Sequence, residues 1–259
     1  MEIKLPLGIT QEGKSIDTVE VRTEITGLVR RLARTTLSTP ATRHQIRRKV
    51  LQYFLTSIGG NTKYTEGLLL SLPFPDTDVI LFNVFREASA RDGSYQPFRV
   101  ERDCAQCKSK QKFTIDWDQL EVIDPAATQW KDGLFAFSLP KGLVNTKNNR
   151  LCKDGFLKVM SLKDLETAMK EQLQRPGQLD WGKATWQKIL SAISMLDGFE
   201  PGELDFSDLD RMDVQDLNYL EELIDEQQLG IRPLQLPCGN CGAEVRVEPV
   251  WENDFLLRV

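Results

Sequence analysis

Two short motifs, Cys104-Ala105-Gln106-Cys107 and Cys238-Gly239-Asn240-Cys241, carry the most legible chemistry in this chain. Cysteines two residues apart can point both sulfurs at one metal across a tight turn. Two such turns supply the four thiolates that a structural Zn²⁺ takes. Cys104, Cys107, Cys238 and Cys241 therefore read as ligands of one structural zinc per chain. The flanks agree: Gly239 and Gly242 let the second turn bend, and Gln106 and Lys108 keep the first polar. The motifs lie about 130 residues apart, far beyond the spacing of a local zinc ribbon. A shared metal would pin the C-terminal region to the middle of the chain. The same residues also admit two disulfides, an iron–sulfur centre, half-sites completed by other chains, or two metal-free turns. Redox catalysis by a CxxC needs a thioredoxin-like βαβ setting, and neither motif opens a helix after a buried strand.

Strand-like runs flank each motif: 96–102 and 111–117 around the first, 231–236 and 243–250 around the second. Upstream, residues 3–9 and 16–23 read as a β-hairpin, with Val19 and Val21 alternating against Glu20 and Arg22. A helix is expected from Thr23 or Thr26 to about Leu37, broken by Ser38-Thr39-Pro40. A second runs from Ala41 to Ile58 and stops at Gly59-Gly60. A third, 76–90, has Pro75 before it and Asp76 and Asp78 at its positive end. Further on, 134–139 reads as a strand with 156–160 as its partner. The polar stretch 141–155 between them is expected to be a mobile loop or binding tip, with Cys152 a bystander in it. Helices are expected over 161–173, 181–197 and 208–229.

The totals bound the function. With 259 residues, 41% apolar and 27% charged, the chain can build one large domain or two small ones. Four stretches suggest themselves: a hairpin with two basic helices (1–60), a helix and the first knuckle (61–125), a middle hairpin with helices (126–200), and an acidic helix with the second knuckle (201–259). The second and fourth would pack around the metal. The fold class is α+β, with short antiparallel hairpins, several helices and a zinc-ribbon-like four-cysteine site. No apolar run approaches the roughly 18 residues of a membrane helix, and the first residues lack a signal-peptide pattern. Four of the five cysteines fall in CxxC pairs, which suits a reducing compartment and a metal. A single histidine, His44, and the lack of GxSxG, GxxxxGK[ST], HExxH or a strand-borne GxGxxG leave no enzyme signature.

Charge is uneven. From Leu28 to Leu55 there is no acid, and Arg30, Arg34, Arg47, Arg48 and Lys49 stand among the cations. They read as a solvated face, as a patch for an acidic protein partner, or as a nucleic-acid contact. The last would make the protein a zinc-ribbon nucleic-acid-binding factor. The net charge of −5 and the lack of interleaved aromatics for stacking weigh against it. From Asp197 to Glu226 there are twelve acids and one base, Arg211. The two knuckles also share an upstream grammar of amphipathic helix, glycine turn and strand. Asp78 and Asp213 fall at nearly equal distances before their cysteines. This suggests two helix–strand–CxxC–strand units sharing the metal.

Several motifs occur in order along most of the chain: Leu5-Pro6-Leu7-Gly8; the stretch from Val19 to Gly27; Ser57-Ile58-Gly59-Gly60; Asp76 or Asp78 through Leu81, Arg86 and Ser89 ahead of a CxxC; Phe135 to Gly142 as Phe-x-Phe-x-Leu-Pro-x-Gly; Pro237-Cys-x-x-Cys-Gly; and Asp254-Phe255-Leu256. In these the chain resembles the baseplate hub assembly proteins, or hub assembly chaperones, of T-even-like contractile-tail phages and phage-derived injection systems. The resemblance implies a non-enzymatic protein that helps build or complete the tail baseplate. Its partners would be hub, spike or tape-measure proteins. It would be located in the bacterial host cytoplasm during assembly and, if retained, in the particle. The stretch 170–201 has no counterpart in this pattern.

Overall fold

The computed structural model describes residues 1–11, 13–24, 40–91, 94–124, 130–131, 133–173, 181–227 and 229–251. They are α+β, with short antiparallel sheets. By contacts, the chain divides into two compact units. Unit 1 takes Met1–Leu69, Pro75–Ile123 and Gly230–Val259, and unit 2 takes Leu70–Phe74 and Asp124–Leu229. The acidic helix thus belongs to one unit, and the knuckle that follows it to the other.

Unit 1 opens on a hairpin, β1 (Glu2–Gln11) and β2 (Lys14–Val21). Helix α1 (Pro40–Phe54) then runs directly into β3 (Leu55–Ile58), which pairs antiparallel with β2. The sequence suggests helix to Ile58, but the last four residues are strand. Leu55, Ser57 and Ile58 are buried there, and pairing with Val19–Val21 outweighs one more helical turn. The helix expected over 26–37 lies outside the described residues. After a short α2 (Glu66–Leu70) comes α3 (Phe74–Ala88). Pro75 sits in its first turn, where its missing N–H costs nothing. Val79, Ile80, Leu81, Phe82, Val84 and Phe85 bury it on nearly all sides, as expected of a core helix. Two small strands, β4 (Ala90–Arg91) and β5 (Ser94–Tyr95), lead to the hairpin β6 (Phe98–Asp103) and β7 (Lys110–Ile115).

Unit 2 contains β8 (Trp130–Lys131), β9 (Leu134–Asn145), β10 (Arg150–Lys158), α4 (Leu162–Leu173), α5 (Trp181–Ala192), β11 (Ile193–Leu196), α6 (Phe206–Asp210) and α7 (Val214–Gln227). Its sheet runs β11-β10-β9-β8. Phe137, Leu139, Leu157, Ile189, Leu220 and Ile224 meet in one core. The stretch 141–155 is not a loose tip: most of it continues the two strands, and only 146–149 turns. Cys152 is a core residue of β10, 1% exposed. The helix expected over 181–197 ends at Ala192 and becomes strand. The one expected over 208–229 is two helices with a break at 211–213.

The chain then returns to unit 1 as the hairpin β12 (Leu234–Pro237) and β13 (Glu244–Val247). Gly230 opens this return, and a Cβ there would stand 2.1 Å from the Pro75 carbonyl oxygen. Trp251 closes the described chain, buried against Phe82 and Phe85.

The two units repeat one plan. In each, a hairpin precedes a helix that passes without a loop into the third strand, then a short helix, then a longer helix. Each longer helix carries an aspartate in its first turn, near the positive end of the helix dipole. Asp76 accepts backbone hydrogen bonds from Leu7 (3.1 Å) and Gly8 (2.8 Å). Asp216 accepts them from Lys141 (2.8 Å) and Gly142 (2.9 Å). The donors are the last two residues of Leu5-Pro6-Leu7-Gly8 and Leu139-Pro140-Lys141-Gly142. Gly8 and Gly142 have positive φ (66° and 93°), and a Cβ at either would collide with the backbone of the neighbouring strand. The equivalent aspartates are therefore Asp76 and Asp216, not Asp78 and Asp213.

Both aspartates are fully buried. Burial raises the Asp76 carboxyl to about 6, with the Leu7 and Gly8 N–H groups pulling the other way. A carboxyl raised on folding favours the folded state while it is protonated. That contribution is complete below the unfolded value of 3.8 and is lost as pH rises through about 6. Asp76→Asn should remove a difference of about 3 kcal/mol across that window. The check is urea unfolding of both proteins at matched pH, read as the difference between the two stability curves.

Candidate metal centre

The two knuckles have one geometry. Cys104 and Cys238 each follow a strand, and six residues later the return strand begins. Cys104 N–H donates to the Ser109 carbonyl at 2.9 Å, and Cys238 N–H to that of Ala243 at 2.7 Å. Lys108 N–H donates to the Cys104 carbonyl, and Gly242 N–H to that of Cys238, both at 2.9 Å. The residue four beyond the first cysteine is left-handed in both, with φ 59° at Lys108 and 76° at Gly242. Only the second knuckle has glycine there, so Lys108 holds strain. Lys108→Gly should stabilise the metal-loaded protein by up to about 1 kcal/mol, whereas Lys108→Val should cost about 1–2 kcal/mol. Urea midpoints of the two variants check both signs.

All four sulfurs lie within 4.8 Å of one another. Cys104 Sγ is 3.7 Å from Cys241 Sγ, and Cys107 Sγ is 3.7 Å from Cys238 Sγ, so the close pairs cross from one knuckle to the other. This is too long for an S–S bond of about 2.05 Å, and all four are free thiols. It matches the edge of a tetrahedron of thiolates: ligands about 2.3 Å from a central ion stand about 3.8 Å apart. These cysteines form a group that could hold one metal ion, with both knuckles of one chain contributing.

Ser109 and Gln111 tie the knuckles together. Ser109 Oγ lies 2.9 Å from Cys107 Sγ and 3.8 Å from Cys238 Sγ. It accepts from Gln111 Nε2 at 2.8 Å, while Gln111 Oε1 accepts from Gly239 N–H at 3.0 Å. Arg102 adds a further link by donating to the Glu248 carbonyl. Sequence reading misses Ser109 and Gln111, because a polar residue on a hairpin carries no signal of its own. The hydroxyl of Ser109 holds Cys107 down at about 5. Burial would raise Cys238, but backbone N–H groups of Cys241 and Asn240 lower it. At Cys241 the Ala243 backbone pulls down, but burial and the hydrogen bonds to the other three thiols push it up to about 12. Clustered thiols cannot all ionise unaided. A cation would resolve that and release protons on binding.

Among the described residues, the basic side chains of α1 have different surroundings. Arg47 is 6% exposed. Its Nη1 lies 2.8 Å from Asp78 Oδ1 and donates to Thr77 Oγ1 at 3.3 Å. The expectation of a partner contact fails there, because the guanidinium is held inside unit 1. Arg48 pairs with Glu66 at 3.0 Å, and Lys49 is exposed. Arg30 and Arg34 lie outside the described residues. Among the described residues, no helix is long and apolar enough to cross a membrane. No family model, curated protein or solved structure matches this chain.

Proposed function

We propose that this protein is a zinc-stapled, non-enzymatic binding protein that helps assemble a phage-like contractile-tail baseplate. The observation that carries the first half is the closed four-sulfur set. If all four positions of a tetrahedral ion are protein thiolates, none remains for a substrate or an activated water, which is the arrangement of structural zinc. Soft thiolates at this spacing suit Zn²⁺ or an iron centre, and a tetrahedral set of four thiolates from two CxxC turns is the ligand set of structural zinc.

The second half rests on the resemblance of the ordered motifs to hub assembly proteins. The structure gives two of those motifs a physical job, since both Leu-Pro-x-Gly turns clamp a buried aspartate. Partners would be hub, spike or tape-measure proteins, met in the host cytoplasm during assembly. The test is co-expression with the hub, spike and tape-measure proteins of the same tail, followed by affinity purification. A stoichiometric complex that survives high salt is expected. A protein that remains alone, or one that binds nucleic acid with steep salt dependence, overturns the assignment.

A further inference from the structure

The repeated plan supplies an internal control for the surface. On the sheet of unit 1, the cross-strand row opposite the core is Glu2–Glu20–Ser57. It is polar: Glu2 and Glu20 are exposed, whereas Ser57 is buried and its hydroxyl donates to Glu20 at 3.0 Å. The equivalent row in unit 2, counted from the same Leu-Pro-x-Gly turn, is Ala136–Phe156–Met195. Phe156 and Met195 are 36% and 43% exposed. Further along the same face, Val144 and Leu151 pair directly and are also exposed. One backbone arrangement thus carries a polar face in one unit and an apolar face in the other. The apolar face is not required by the fold.

A groove of about 650 Å³ joins this face to the half-buried Tyr219 and Leu223 of α7. Asp154 and Asp197 line it, and among the described residues no lysine or arginine does. Arg150 is engaged with Asp197 at 2.6 Å, while Asp154 has no ion-pair partner among the described residues. Beside Tyr219 and Leu223, α7 exposes Glu222 and Glu226, while its Asp225 is paired with Lys188. Residues 124–229 hold nineteen acids against twelve bases.

We infer that this groove of unit 2 is a docking site for a partner protein's segment that has an apolar centre and lysine or arginine flanks. The apolar floor would bury the centre, and the carboxylates at its margin would select the flanking charges and steer the approach. An aromatic and a methionine side by side form an adaptable anchor of the kind that dominates binding energy. The proposal rests on the reading of the protein as a binding component and adds the site and the partner's chemistry.

The test is selection from a displayed library of random peptides on the full-length protein. Selected peptides are then measured against the double variant Phe156→Glu, Met195→Ser, which gives unit 2 the polar pair of unit 1. Unchanged thermal unfolding would establish that the variant folds. A milder pair, Phe156→Ser and Asp154→Asn, serves if it does not. Peptides with apolar centres and Lys or Arg flanks are expected, losing about tenfold or more in affinity on the variant. Peptides with neutral or acidic flanks, peptides indifferent to the substitutions, or no enrichment would overturn the proposal. So would self-association of the wild type that the variant abolishes, because the occupant would then be a second copy. A tail complex that forms equally well with the double variant refutes the groove and leaves the assembly role standing. Selected peptides without any tail complex do the reverse.

Discussion

Cys238→Ser, or removal of the metal by a chelator, is expected to loosen the region around 96–117 as much as the C-terminal hairpin that carries the substitution. The reason is the crossing of the sulfur pairs. Cys107 faces Cys238 across 131 residues of chain, and Ser109 and Gln111 reach over to the second knuckle. A cross-link closing a loop of that length contributes about 5 kcal/mol by restricting the unfolded chain. Metal binding to a site absent from the unfolded state adds its own free energy to folding. Loss of at least about 5 kcal/mol in unit 1 is therefore expected. Limited proteolysis of metal-loaded and chelated protein reads it directly. Protection of 96–117 that is unchanged in Cys238→Ser would mean that the first knuckle stands alone.

Asp78→Ala should cost about 3–5 kcal/mol, the usual result of removing one partner from a buried ion pair. Asp78 Oδ1 receives Arg47 Nη1 at 2.8 Å and Trp251 Nε1 at 3.1 Å. It thus joins α1, α3 and the end of the described chain. Alanine would leave the buried guanidinium without that carboxylate and loosen the seat of Trp251 between Phe82 and Phe85. The paired replacement Arg47→Met with Asp78→Leu should cost much less, because neither charge is then left in the interior. Urea unfolding followed by tryptophan fluorescence distinguishes the two variants, and equal losses would contradict the account.

The same residues mark how far sequence reading reaches. The cysteine spacing gives the metal group because thiolate chemistry depends on residue type and local turns, both written in the chain. The hairpins at 2–21 and 98–115 follow from alternation, and α3 from its first turn and apolar run. Arg47 is misread because a cation in a basic stretch looks solvated. Its burial depends on Asp78, an acid outside that stretch, and sequence does not show which helix faces will meet. The passage from helix to strand at Leu55 and again at Ile193 is hidden for a similar reason. A short apolar segment suits either state, and pairing to a distant hairpin decides it. The repeat is legible, but in the two Leu-Pro-x-Gly turns. Aligning Asp78 with Asp213 by distance to the cysteines selects the wrong aspartates. The spacing from aspartate to knuckle differs between the halves, and the clamp to the turn is what they share.

The shared metal is tested most directly by metal content per chain in three proteins: the wild type, Cys104→Ser with Cys107→Ser, and Cys238→Ser with Cys241→Ser. The account predicts one zinc ion in the wild type, coordinated by four sulfurs at about 2.3 Å in X-ray absorption, and none in either double variant. Metal retained in one double variant, or two ions in the wild type, would mean that each knuckle binds on its own, and the crossing of Cys104 to Cys241 and Cys107 to Cys238 would no longer describe the site.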